Sequence, residues 1–458
     1  MASRLPEIGV GLLGLGTVGA EVYRLLAERA EHIAGLVGRP CVVRRVAVAR
    51  PGRPRRVRIP SSLLTTDGAT VVEDPAVDIV VEVVGGVEPV RSLLLRALAG
   101  GKAVVTANKQ LLAAHGAELL AAAAAAGVDL CFEASVGAGI PLIKPLRESL
   151  AADRIRLIEG ILNGTTNYIL TLMSREGRTF DDALAEAQAR GFAEADPADD
   201  VDGHDAAAKL AILATVAFNT SLAAEQVYRE GIGGVTPADI RHAAELGYVI
   251  KLLAVARDRD GALELRVHPA LVPAGHLLAG ISEERNAVLV EGEACGRVLF
   301  SGPGAGGAPT AAAVVGDIID AARNRLRGAG GRTLSAPSVR REVHPMERLV
   351  IPFYLRLQVT DRPGVFARIA TVFGEEQVSI ASIVQKSRGE VADVVLLTHE
   401  AEEAAMRRVV VSRYTYGSFV DALLAFLRRR LEHMAGGPTA PAGACESGPD
   451  AREVAHVL

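Results

Sequence analysis

Two side chains in Gly191–Leu213 (GFAEADPADDVDGHDAAAKLAIL) have the types and spacing for proton chemistry. Asp205 and Lys209 are four residues apart, so on a helix they share one face. From Ala206 to Phe218 the stretch is almost wholly apolar, which predicts a buried helix with this pair at its wet end. A lysine beside a carboxylate at such a place can have a shifted pKa and move protons. Such pairs are also ordinary helix supports, so the pair alone does not choose between chemistry and structure. Before the helix lie Glu194, Asp196, Asp199, Asp200 and Asp202, a cluster suited to an amine-bearing ligand. His204 is a rival acid–base but falls one step off the Asp205/Lys209 face.

The elements that must position this pair begin at the N-terminus. Ile8–Leu13 is an apolar run leading into Gly14-Leu15-Gly16-Thr17-Val18-Gly19 and then a helical pattern. Strand, G-x-G-x-x-G and helix form the dinucleotide fingerprint in its required context. Its glycines serve the tight turn, the approach to the pyrophosphate and helix–strand packing, and the helix N-terminus faces the phosphates. Val42–Ala49 reads as the second strand. An acid near its end would hold a ribose 2′-hydroxyl, but no Asp or Glu occurs between Glu31 and Asp67, and Arg50, Arg53, Arg55, Arg56 and Arg58 stand there instead. That points to a 2′-phosphate and NADP, with NAD as the alternative. Further strands at Ile79–Val84, Ala103–Thr106 and Leu130–Phe132 alternate with helices at Val90–Ala99 and Leu111–Ala126. This is the rhythm of a doubly wound, Rossmann-type parallel sheet. Lys109 in VVTANK falls just beyond a strand's carboxyl end, where such sheets bind ligands. Glu133–Ile140 (EASVGAGI) is a glycine-bearing turn; carbonyls plus one carboxylate can also hold a small hard cation.

The remaining chain divides as follows. Residues 1–140 are read as the nucleotide-binding domain, to which 301–326 return, and 141–300 as an α+β substrate-binding and oligomerisation domain. A linker at 327–348 leads to a third unit, 349–430, with strands at Val378–Gln385 and Val391–Thr398, a helix at Phe366–Glu375 and a closing helix at Ser412–Arg430. Its β-α-β-β order suggests a ferredoxin-like module. Residues 431–458 read as a disordered tail.

Composition sets bounds. The 458 residues are enough for about three domains. Hydrophobic residues are 49%, aromatics 4%, and tryptophan is absent, so cores are built from aliphatic side chains. A net charge of −4 gives no case for nucleic acid or an anionic membrane. Cys41, Cys131, Cys295 and Cys445 show no paired or metal spacing and fit unbridged thiols in a cytoplasmic protein. The N-terminal stretch lacks a signal pattern, and no run is long enough to span a bilayer.

GLLGLGTVG, VVTANK, EASVGAGIP, GILNGTTNYIL, GFAEADPADDVDGHDAAAKL, GPGAGGAPTA and LRLQVTDRPGVFARIA occur in that order over about residues 7–430. In these motifs the sequence resembles the monofunctional bacterial homoserine dehydrogenase family with a C-terminal ACT domain. The resemblance implies reversible interconversion of L-aspartate 4-semialdehyde and L-homoserine with NAD(P), at a branch point towards threonine, methionine and isoleucine. It implies that Lys209 moves the proton at the substrate oxygen and Asp205 positions it. It makes Glu194, Asp200, Gly191, Lys109 and Thr165 substrate residues. Gly14, Leu15, Gly16, Thr17, Val18, Gly19, Ala47, Arg50, Thr106, Lys109 and Gly306 become cofactor residues. It implies a sodium site at Glu133, Val136, Ala138 and Ile140, where Ala138 replaces a glycine common in relatives; a backbone ligand survives that change unless the position needs φ > 0. It also implies a homodimer or homotetramer. In the ACT turn Asp361, Pro363 and Gly364 stand where such domains meet small amino acids, with L-threonine as the expected feedback inhibitor. Two other functions compete: a dehydrogenase of another small amino acid on the same scaffold, and a catalytically silent amino-acid sensor. Retention of Glu194, Asp205 and Lys209 argues against the silent one.

Overall fold

A computed structural model describes residues 7–331, 340–386 and 389–412, with backbone strands at Leu427–Leu431 and Ala455–Val457. The chain forms two compact units, Met1–Ile158 with Asp205–Val227 and Asn286–Arg341, and Glu159–His204 with Tyr228–Arg285 and Glu342–Leu458.

The first unit is built on a six-stranded sheet. Its strands are β1 (Ile8–Leu13), β2 (Cys41–Ala47), β3 (Leu64–Thr65), β4 (Ile79–Glu82), β5 (Ala103–Thr106) and β6 (Leu130–Cys131), ordered β3-β2-β1-β4-β5-β6. Every neighbour pairs in parallel. Parallel strands are covered on both faces, and so β1, β4 and β5 are buried at every position. Helix Thr17–Glu28 packs Val22 and Leu26 into the same core as Ala311, Val314, Val315 and Ile318 of helix Gly307–Leu326. The chain reverses direction of winding at β1, and the crevice beyond the carboxyl ends of β1 and β4 is where such sheets hold ligands. Helix Lys109–Ala126 starts there, capped by the Asn108 side chain on the Leu111 amide, and stops at Gly127 in the left-handed region (φ 64°). The helix His204–Phe218, in this unit from Asp205 onward, buries Ala206, Ala207, Leu210–Ala214, Val216 and Phe218.

The second unit contains a long antiparallel hairpin, Tyr248–Arg259 with Ala262–Pro273, in which Arg259 pairs with Ala262. Asp260 (φ 52°) and Gly261 (φ 94°) make its two-residue turn, the arrangement that an Asp-Gly pair favours. Helix Gly164–Glu176 is buried from Thr165 to Met173 and capped by Asn163. Helix Pro237–Glu245 carries a capping box between Thr236 and Asp239. The C-terminal module of this unit has strands Phe353–Thr360, Ile380–Gln385 and Val391–Thr398, with the last one central and antiparallel to both others. Helix Val365–Glu375 follows Gly364 (φ 90°), as the β-α-β-β pattern requires. The module's second helix is Glu403–Ser412, whose Ala405, Met406 and Val409 fill the module's core; of the closing helix expected over Ser412–Arg430 only the two ends are described, and Leu427–Arg430 is strand rather than helix. Residues 413–426 lie outside the described residues, and Leu427–Leu431 form a strand antiparallel to Phe353–Thr360. The expected tail, apart from Leu431 and Ala455–Val457, also lies outside them. Among the described residues no helix is long and apolar enough to cross a membrane.

Candidate active site

The G-x-G-x-x-G turn is assembled as its chemistry requires. Gly14 (φ 104°) donates its N–H to the Ala47 carbonyl at 3.0 Å, and a Cβ there would come within 2.9 Å of Val84. At Gly19 a Cβ would strike the Gly14 carbonyl oxygen at 2.3 Å, so only glycine lets helix and turn pack. At Gly16 a Cβ would meet nothing within 4 Å: this face is open. Gly16 caps helix Thr17–Glu28 without a side-chain bond, leaving first-turn amides for an anion. Leu15 is buried, Val18 half-buried and Thr17 exposed. Thr17 lies next to Gly307, where a Cβ would approach its Cγ2 to 2.9 Å. Gly306 (φ 118°) caps helix Gly307–Leu326, again without a side-chain bond. Arg50 is exposed beyond the end of β2. The Arg55 guanidinium donates to the carbonyls of Arg50 (2.5 Å), Pro51 (2.6 Å) and Arg53 (2.9 Å), so this arginine shapes the basic loop from within.

A cleft of about 320 Å³ opens beyond β1, β4 and β5. Val18, Glu82–Gly85, Ala107–Lys109, Ala134, Ser135, Gly137, Ala138, Lys209, Gly304–Gly306 and Thr310 line it. At its wall Asp205 holds two ammonium groups. Lys109 Nζ lies 2.7 Å from its Oδ1, and Lys209 Nζ donates to its Oδ2 at 2.7 Å. The Asp205 side chain is 6% exposed, Lys209 12% and Lys109 38%. Burial alone would push the Asp205 carboxyl up, but Lys209 and Lys109 offset this and hold it well below the usual carboxylate range. The triad places two ammonium groups and one carboxylate at the wall of the cleft. Such a site stabilises a developing alkoxide and can protonate it. His204 is exposed.

Thr106 is fully buried, with its hydroxyl donated to Glu82 Oε2 at 2.6 Å, so its side chain serves the framework. The Glu133 carboxylate has a similar task. It accepts the amides of Leu142 (2.5 Å), Ile143 (2.9 Å) and Lys144 (2.7 Å), and so caps the turn that follows. Ala138 has φ 47°, the left-handed condition under which alanine is strained where glycine is not. Among the described residues no group of three His, Cys, Asp or Glu could hold a metal.

In the second unit the remaining residues gather around the N-terminus of helix Gly164–Glu176. Thr165 donates to the Phe192 carbonyl at 2.7 Å, and Asn163 Nδ2 donates to Asp200 Oδ1 at 2.6 Å. Gly191 (φ 76°) turns the loop that carries exposed Glu194. Two features escaped the sequence reading. Lys251, 3% exposed, donates to Asn167 Oδ1 at 2.9 Å, and burial lowers its pKa to about 8. Asp239, fully buried, accepts from Arg356 Nε at 2.7 Å. For Lys251 the signal was a lysine inside an apolar run, and for Asp239 the Thr-Pro-Ala-Asp capping-box pattern.

Three family models match the chain: "Homoserine dehydrogenase, NAD binding domain" over residues 14–133, "Homoserine dehydrogenase" over 141–319, and "ACT domain" over 353–410. The homoserine dehydrogenase of Corynebacterium glutamicum is 47% identical over 408 residues, 88% of this chain and 91% of that protein. That of Mycobacterium tuberculosis is 48% identical over 414 residues, 88% of this chain and 93% of that one. Among solved structures, a homoserine dehydrogenase from Thiobacillus denitrificans superposes with TM-score 0.85 at 44% identity, covering 92% of this chain and 97% of that one. A hyperthermophilic archaeal homoserine dehydrogenase in complex with NADPH superposes with TM-score 0.60 at 28% identity, covering 70% and 98%.

Proposed function

The chain belongs to the homoserine dehydrogenase family and is an oxidoreductase, and from that premise we propose the substrate, cofactor and residue roles that follow. The reaction is the reversible interconversion of L-aspartate 4-semialdehyde and L-homoserine, serving threonine, methionine and isoleucine synthesis. The observation that carries this reading is the Lys109–Asp205–Lys209 triad on the wall of a cleft beside the dinucleotide turn.

The nicotinamide supplies the hydride chemistry. Lys209 Nζ gives the proton to the substrate oxygen in reduction and takes it back in oxidation. Its ammonium also stabilises that oxygen while it is negative. Asp205 orients Lys209 and pairs with both ammonium groups. Glu194 and Asp200 bind the substrate ammonium, with Gly191 and Thr165 shaping that subsite. Gly14 makes the turn, its amide held by the Ala47 carbonyl, so that Leu15, Gly16, Thr17, Val18 and Gly19 present amides to the pyrophosphate, and Gly306 flanks the cofactor. Ala47 fixes the turn, Lys109 lines the nicotinamide region, and Thr106 shapes the cofactor wall through its buried hydroxyl. Arg50, in the loop braced by Arg55, meets a 2′-phosphate, which favours NADP over NAD. The NADPH bound to the archaeal relative supports this choice.

Sodium fits here only through the carbonyls of Val136, Ala138 and Ile140, since three backbone amides occupy the Glu133 carboxylate. No step depends on it. The ACT module meets L-threonine around Asp361, Pro363 and Gly364 and lowers activity, within a cytoplasmic homodimer or homotetramer. Unbridged Cys41, Cys131 and Cys295 support the compartment. The purified enzyme, assayed for homoserine oxidation with NADP and NAD side by side and with millimolar threonine, tests all of this. Turnover with homoserine, lower KM for NADP and inhibition by threonine are expected. No turnover of homoserine with either nucleotide would overturn the reading.

A further inference from the structure

Glu82 ends β4 directly opposite Thr106, which ends β5. Its side chain is fully buried although it belongs to the wall of the cleft. Oε1 accepts the amides of Val84 at 2.8 Å and Gly85 at 2.9 Å. This holds a turn in which Gly85 and Gly86 both have positive φ, 83° and 79°. Oε2 accepts the Thr106 hydroxyl at 2.6 Å, and that hydroxyl oxygen in turn accepts the Asn108 amide at 3.0 Å. Asn108 then closes a ring. Its Nδ2 donates to the Gly86 carbonyl at 2.6 Å, and its Oδ1 accepts the Leu111 amide at 3.1 Å. The next residue is Lys109, first in its helix, with Nζ on Asp205.

The ring therefore joins two loops that would otherwise be independent: the Val83–Gly86 wall and the start of the Lys109 helix. Backbone pairing between β4 and β5 stops at Glu82 and Thr106, one step short of Ala107, whose amide reaches back to the Glu82 carbonyl at 3.2 Å. Beyond that point the backbone ties Val83 to Leu13, at 3.0 Å, and side chains join the Val83–Gly86 turn to Asn108. A carboxylate is the group for this position because it accepts in several directions at once, and here every group facing it is a donor. Burial makes each of these bonds directional, since water cannot replace it.

We propose that Glu82 is a positioning residue for the reaction, acting through Thr106 and Asn108 to set where Lys109 meets Asp205. Both of its carboxylate oxygens are engaged by protein donors, so it acts through them. The proposal rests on the reading of the Lys109–Asp205–Lys209 triad as the reacting site. Glu82→Gln keeps an acceptor for the two amides but presents an NH₂ donor to the Thr106 hydroxyl, whose proton then loses its acceptor.

The experiment is a double-mutant cycle on homoserine oxidation by the full-length enzyme. Glu82→Gln and Thr106→Val are each expected to lower kcat about tenfold, with KM for homoserine within about twofold, since small misplacements cost rate before binding. Thr106→Ser, which keeps the hydroxyl, recovers most of what Thr106→Val loses. In a Lys109→Ala background, Glu82→Gln and Thr106→Val each cost less than about twofold, because the residue they position is gone. The same tenfold loss with and without Lys109 would overturn the proposal, as would full activity in Glu82→Gln and Thr106→Val. If instead Lys109→Ala and Lys209→Ala keep wild-type turnover, it is the reading of the triad that fails. Thr106→Val carries the test if Glu82→Gln does not fold.

Discussion

Two buried aspartates of this chain each accept from cations, and they do different work. Asp205 holds Lys109 and Lys209 at the edge of a cleft. Asp239 holds Arg356 through Oδ1, while its Oδ2 accepts the Thr236 amide at 2.9 Å and the Thr236 hydroxyl. The first pair uses lysines, whose ammoniums can give up a proton. One of them is more than a third exposed. The second uses an arginine that stays charged, with its side chain 5% exposed, and it spends the carboxylate on a helix cap. A buried carboxylate with a cation is thus a poor sign of chemistry by itself. It becomes one where the cation is a proton donor and the pair opens onto a cavity.

A third buried aspartate completes the contrast. Asp317 has one amide donor, Glu133 N at 2.9 Å, and burial pushes its pKa up to about 8. All three are buried; what differs is the donors that each carboxylate meets.

The contrast can be broken at each corner. Asp239→Ala leaves Arg356 buried without its carboxylate, and uncapping the helix adds to the loss. A stability loss of about 3–5 kcal/mol by urea denaturation is expected, with turnover per folded molecule unchanged. A loss under about 1 kcal/mol would remove Asp239 from the structural class. Asp205→Asn should do the reverse. It lets two ammoniums repel, so kcat should fall roughly 10²-fold, while both lysines relax into the cleft and the urea midpoint moves less than for Asp239→Ala. Equal losses of stability in the two variants would erase the distinction.

Asp317 gives the smallest effect and a sign. Between the ordinary carboxyl pKa near 4 and about 8, the folded chain keeps a proton that the unfolded chain releases. Its contribution is therefore fully present below the unfolded pKa and is lost as pH rises towards 8. Asp317→Asn should flatten the decline of the urea midpoint between pH 5 and 8. An unchanged slope would mean that Asp317 ionises normally in the fold.

Local features of the fold and site were legible in the sequence, and long-range ones were not. Five of the six strands follow from apolar runs alternating with helical patterns, whereas the two-residue edge strand Leu64–Thr65 is too short to show a pattern; the Gly14–Gly19 turn follows from glycine spacing with strand and helix on either side. The Asp205/Lys209 pair follows from helical period. What the sequence hides is partnership across the chain. Nothing near Asp205 announces Lys109, and nothing near Thr236–Asp239, readable as a capping box, announces Arg356. Glu82 reads as one acid in an apolar strand, although it brings four backbone and side-chain groups into register. The helix Glu403–Ser412 was missed for another reason: it is short, and Glu403, Arg407 and Arg408 interrupt its apolar residues, so its period is weak.

The most direct test of the account is the turnover of Lys209→Ala with homoserine and NADP, measured beside its NADPH affinity and its melting temperature. The account predicts a kcat lowered by about 10²–10⁴ with nucleotide binding and fold retained. Wild-type turnover in that variant would contradict it.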